Sequence, residues 1–188
     1  MPIRKYLVTA GYLLLLLFSL GLLGYGWMMR QFETAQNAFH QGDIAGAIES
    51  YRRAEMPFQK LPWLANLFSE EYTQVNLNQV AILYGQKQNQ EALEKLEQMP
   101  THLPALAESG DYGFWMGNLL FRQATESKNP ETSLNALKAA MSEYQKGLAA
   151  KPDDWDLKFD YELVRSIFAQ QDRNKEKQQQ QMAPEKRG

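Results

Sequence analysis

The chain has 188 residues, 44% of them hydrophobic, with 22 acidic side chains against 20 lysines and arginines and no cysteine. That length accommodates one ordinary domain with appendages, and the missing cysteines exclude disulfides, zinc–thiolate sites, thiol nucleophiles and a lipoprotein anchor. The near-neutral total conceals a division: residues 31–171 carry 19 acids against 12 bases and residues 172–188 carry 3 against 5, so the body is acidic and a poor partner for nucleic acid.

Residues 1–6 form a short basic N-terminus with Arg4 and Lys5, and residues 7–29 contain no charged side chain. The run "LLLLLFSLGLLGYGWMM" completes a stretch long enough for the roughly 20 helical residues that a hydrocarbon core requires. A transmembrane helix is the reading. Its cationic bias lies before the span, which predicts a single-pass inner-membrane protein with its N-terminus in the cytoplasm and its body in the periplasm or another extracytoplasmic space. Tyr25 and Trp27 fall where an aromatic belt belongs. The rival is a cleaved signal peptide releasing a soluble exported helical chaperone. No Ala-x-Ala site follows, and the candidate "GYG" is succeeded by bulky Trp27 and Met28.

Residues 31–171 are rich in helix formers and lack alternating β-branched runs, which predicts an all-α body. Helical stretches repeat one another. "HQGDIAGAIESYRRAE" places Ala47, Tyr51 and Ala54 four and three apart; "KAAMSEYQKGLAAKP" repeats the grid as Ala140, Tyr144 and Gly147 and adds Pro152; a weaker copy has Ala92, Leu96 and Met99. Small residues flanking a bulky one let a neighbouring helix approach closely while the knob fills the space between, and proline ends the helix by restricting the residue before it.

This grid resembles the tetratricopeptide repeat, which implies an irregular stack of about three helical hairpins behind the N-terminal transmembrane helix. The spacing departs from the usual 34 residues, so insertions are expected. One is "MPFQKLPWLANLFSE", interrupted by Pro57 and Pro62, with Trp63, Leu64, Leu67 and Phe68 forming a short apolar face that is expected to pack onto the scaffold, the alternatives being contact with the membrane surface or with a partner. The other surrounds "PTHLPALAESGDYG", where Gly113 and Gly117 permit close packing. First helices of such hairpins line a binding face, which nominates Gln36, Phe39, His40, Asn76, Gln79, Tyr84, Asn118 and Arg122 as partner-binding residues.

The acid run of "KPDDWDLKFDYELV" is expected to open a capping helix: Asp153 or Asp154 caps it, Asp156 sits in its first turn, and Trp155, Phe159 and Leu163 form its buried stripe. The alternative is calcium held or delivered by Asp153, Asp154, Asp156 and Asp160, although helical periodicity without glycine spreads these carboxylates around the helix. Residues 172–188 are almost devoid of apolar side chains and are expected to be a disordered tail.

His40 and His102 sit in no metal-ligand spacing, and neither a phosphate loop nor a nucleophile elbow occurs. A non-enzymatic protein without cofactor or metal is expected, working through protein partners. The order of parts and Pro152–Val164 resemble the membrane-anchored accessory proteins of MoxR-type ATPase and von Willebrand factor A clusters, the MxaK type among them. That resemblance implies a role in assembling or metal-loading a periplasmic enzyme such as methanol dehydrogenase.

Overall fold

The structure, a computed structural model, describes residues 2–182, with side chains for Tyr6 and for residues 8–177. All regular elements among the described residues are helical: α1 (Pro2–His40), α2 (Ile44–Lys60), the single-turn α3 (Leu64–Leu67), α4 (Ser69–Gly85), α5 (Asn89–His102), a 3-10 turn (Pro104–Glu108), α6 (Gly110–Glu126), α7 (Pro130–Ala150) and α8 (Trp155–Met182). The chain divides into two compact units, Met1–Leu64 and Ala65–Gly188.

In the first unit the expected break between anchor and body is absent. α1 continues through Arg30 as one 39-residue helix, long and apolar enough over its N-terminal part to cross a membrane. It then folds back on α2 through a turn that satisfies its last carbonyls. Gly42, at φ +78°, allows the Gly42 and Asp43 amides to donate to the Phe39 and Ala38 carbonyls at 3.0 and 2.9 Å, a left-handed ending in which glycine carries no Cβ penalty. Asp43 then starts α2, its side chain accepting from the Gly46 amide at 2.9 Å. Ala47, Tyr51, Ala54 and Phe58 bury one face of α2, and the Tyr51 ring meets Phe32 of α1 edge-on at 5.5 Å. Pro57 does not interrupt this helix, which runs on to Lys60. A proline inside a helix costs about 3 kcal/mol, and burial of Phe58 in the following turn offsets roughly 1.5–3 kcal/mol of it.

In the second unit α4 pairs with α5, α6 with α7, and α8 lies along α7. α6 and α7 approach closely at glycines. A methyl group on Gly113 would lie 2.7 Å from the Glu143 carbonyl oxygen and 2.8 Å from Gly147 Cα, and one on Gly117 would strike the Tyr144 ring. Ala140, Tyr144 and Gly147 are all buried on α7, as are Ala92, Leu96 and Met99 on α5. Ala124, Leu137, Leu157 and Val164 join Ala140 and Tyr144 in the core.

The helices carrying the grid share an ending. The residues before Pro62, Pro104 and Pro152 are Leu61, Leu103 and Lys151, with φ,ψ of −133°,77°, −135°,81° and −130°,73°. Each donates its amide to the carbonyl four residues back. Proline excludes the helical region for its predecessor and so stops all three helices alike. After the first two stops the chain makes a short extra turn, α3 or the 3-10 turn, before the next long helix. These extra turns lengthen the spacing between the helices that carry the grid.

Three expectations are corrected. Trp155, Phe159 and Leu163 do not form the buried stripe of α8: Trp155 is 76% and Phe159 60% exposed, while Leu157 and Val164 are fully buried. α8 bears apolar residues at helical spacing on two opposite faces, and α7 covers the other one. Trp63 and Leu67 are also exposed rather than packed away. Finally, residues 172–182 continue α8 rather than forming a disordered tail; Lys, Glu, Gln and Arg are good helix formers with no Gly or Pro among them before Pro184, and the Gln171 carboxamide oxygen accepts a 3.3 Å bond from Ser133 Oγ of α7. Residues 183–188 lie outside the described part.

Candidate functional site

A groove of about 700 Å³ in the second unit runs along the outer face of α4 and is closed by the 3-10 turn and the start of α6. Its α4 wall consists of Glu70, Thr73, Gln74, Leu77, Asn78 and Ala81. Those positions share one side of a helix with 100° per residue, opposite the buried Tyr72, Val75, Asn76, Gln79, Val80 and Leu83. Across the groove stand Leu103, Ala105, Leu106, Ser109, Asp111 and Trp115. The geometry follows from local sequence: Tyr72 pins α4 to α5 by donating its hydroxyl to the Met99 carbonyl at 3.1 Å, and Ser109 caps α6, accepting from the Tyr112 amide at 3.2 Å. The Leu103–Pro104 stop swings the 3-10 turn beneath the groove.

Trp115 is held in place. Its ring meets Tyr84 at 5.7 Å and Phe114 at 5.4 Å, both near perpendicular. Arg122 lies over the other partner, its guanidinium carbon 3.6 Å from the Tyr84 ring centroid. Its Nη1 donates to the Tyr84 carbonyl at 2.8 Å and to Asn89 Oδ1 at 3.2 Å, so one cation stacks on the ring and caps the end of α4. The groove is lined by two carboxylates and no lysine, arginine or histidine. Asp111 is bound at 2.6 Å by Lys151 Nζ.

The eight nominated contact residues separate in the structure. Gln36, Phe39 and His40 are exposed at the end of α1, with the Phe39 and His40 rings 6.2 Å apart. Asn76 and Gln79 are corrected: at 1% and 3% exposure they face inward, and their amides donate to the Tyr72 and Val75 carbonyls one turn back. Tyr84, Asn118 and Arg122 serve internal packing, Asn118 accepting a 3.0 Å bond from the Tyr144 hydroxyl. Burial pushes that phenol well above its ordinary range. The groove residues lie on the side of α4 opposite Asn76 and Gln79. The apolar positions Tyr72, Val75, Val80 and Leu83 already enclose 76 and 79 within the inward stripe and leave 70, 73, 74, 77 and 81 as the outward one.

The acid run has diverse duties. Asp154 Oδ1 accepts from the Leu157 amide at 3.1 Å and caps α8, and Asp153 faces Lys158 Nζ at 3.8 Å. Asp160 is half-buried, and burial, reinforced by Asp156, raises its pKa above the usual carboxylate range. No three acidic or histidine side chains among the described residues converge as a metal site would require. The calcium alternative therefore has no ligand cage on this helix.

Fold and groove together define a helical-hairpin chain behind a helix capable of spanning a membrane. No protein-family model, curated protein or solved structure matches it.

Proposed function

We infer that the protein is a non-catalytic scaffold, tethered by α1 with its N-terminus in the cytoplasm and its tetratricopeptide-like hairpins outside, which holds a segment of another protein in the α4–α6 groove. The observation that carries this reading is the groove itself: an open trough lined by the apolar Leu77, Ala81, Leu103, Leu106 and Trp115 and by the carboxylates Glu70 and Asp111. Open grooves of this kind accept a peptide or helix whose side chains occupy successive positions. Arg4 and Lys5 ahead of the span support the orientation. The narrower form, an accessory factor in assembling or metal-loading a periplasmic enzyme alongside a MoxR and von Willebrand factor A system, rests on the resemblance of residues 152–164 and the order of parts.

A photo-crosslinking residue placed at Gln74 in the intact membrane protein tests it. The expected result is a discrete protein adduct that disappears when Leu77→Asp is added. The same probe at Lys138, exposed on α7, should give none. Adducts equal at the two positions, or indifferent to Leu77→Asp, would overturn the groove as the binding site.

A further inference from the structure

The α1–α2 hairpin reaches further toward the membrane than the break at Arg30 would allow. Met28 lies inside the charge-free stretch yet is only 5% exposed, because α2 packs along this part of α1. The Phe32–Tyr51 ring contact sets the register of the two antiparallel helices. Both rise about 1.5 Å per residue, so each step beyond Tyr51 descends alongside one step before Phe32. Phe58 comes level with Tyr25, and Lys60 with Leu23. Leu61 and Trp63 follow at once in a tight turn, closed by the Leu64 amide on the Leu61 carbonyl at 2.9 Å.

Leu61 and Trp63 are 47% and 60% exposed. A span of about 20 residues starting at Leu7 ends near Gly26, so these side chains emerge beside the last turns of the membrane-crossing helix. Arg30 of α1 and Arg52 and Arg53 of α2 fall about two turns farther out than Lys60 by the same register, at the depth of the lipid headgroups, and Leu61 and Trp63 lie below them at the boundary with the hydrocarbon. Tryptophan favours this boundary because its indole joins an apolar body to a donor, and a lysine there extends its ammonium outward while its stem stays in apolar surroundings.

We propose that the end of α2, Lys60–Trp63, is a second membrane contact: Leu61 and Trp63 insert into the interfacial region of the phospholipid bilayer beside α1, with Lys60 directed at the phosphates. The occupant of this exposed apolar surface is lipid, because the surface is continuous with the bare apolar flank of the spanning helix. A single helix leaves its own tilt in the bilayer open; a second contact at the interface fixes the direction in which α1 leans. The inference rests on α1 being the membrane tether.

The chain has no native cysteine, so an environment-sensitive fluorophore can be attached to Trp63→Cys, and in a second protein to Leu61→Cys, in full-length chain reconstituted into phosphatidylcholine–phosphatidylglycerol vesicles. Gln41→Cys, at the distal tip of the hairpin, is the reference. The labels at 61 and 63 should emit to the blue of the one at 41, be quenched by nitroxide carried on shallow acyl positions, and be protected from aqueous iodide. Labels at 61 and 63 that behave like the label at 41 while the chain resists carbonate extraction would overturn the proposal and leave the tether standing. Release of the chain by carbonate would overturn the tether and the proposal together.

Discussion

Gly113 shows how much one absent methyl group decides. The contacts that a Cβ would meet there are backbone atoms of Glu143 and Gly147, which cannot swing aside as a flexible side chain does. Gly113→Ala should therefore separate α6 from α7 and cost about 1–3 kcal/mol, the usual range for overpacking, read as a lower denaturation midpoint of the full chain in detergent. Asp160 presents the opposite case, a residue whose charge opposes the fold. Its pKa is raised by burial and by Asp156, so the folded state holds the proton more tightly than the unfolded chain. The associated stability is present in acid and is lost as pH rises through the raised folded pKa. Asp160→Asn should melt higher than the parent at neutral pH, and the difference should vanish in acid. A difference independent of pH would refute the electrostatic cause.

At the scale of the element, α8 separates two stripes that look alike in sequence. Trp155, Phe159 and Leu163 recur at intervals of four, and Leu157, Tyr161, Val164 and Phe168 at four, three and four. Both satisfy helical periodicity, so periodicity cannot choose between them. α7 chooses: its face presents Ala140, Tyr144 and Gly147, and Leu157 fits against Gly147 with its methyl carbons 3.0–3.3 Å from where a Cβ would be. Leu157→Ala should cost about 2–5 kcal/mol as a core cavity, whereas Trp155→Ala should stay within about 0.5 kcal/mol, as exposed substitutions do. Thermal melts of the two variants check this, and equal losses would return Trp155 to the core. α4 carries the same lesson in reverse. Asn76 and Gln79 look like surface residues by type, but their amides reach the carbonyls of the preceding turn, so burial leaves neither unsatisfied.

Across the whole molecule, the helical class, the membrane-length apolar helix, the spacing of small and bulky residues and the proline stops were legible from residue order, because each depends on interactions within a few positions of the chain. The small-and-bulky grid marked Ala47, Tyr51, Ala54, Ala140, Tyr144 and Gly147, all of which lie in helix interfaces. What residue order left open was every choice between two faces of one helix. Which stripe of α8 is covered, which side of α4 lines a groove and how far α2 descends beside α1 all depend on which neighbour packs against a surface. That neighbour is fixed by the turns at Gly42, Pro62, Pro104 and Pro152 and by close approach at Gly113. Such approach is a property of two backbones in space, and it takes effect only once the chain has folded.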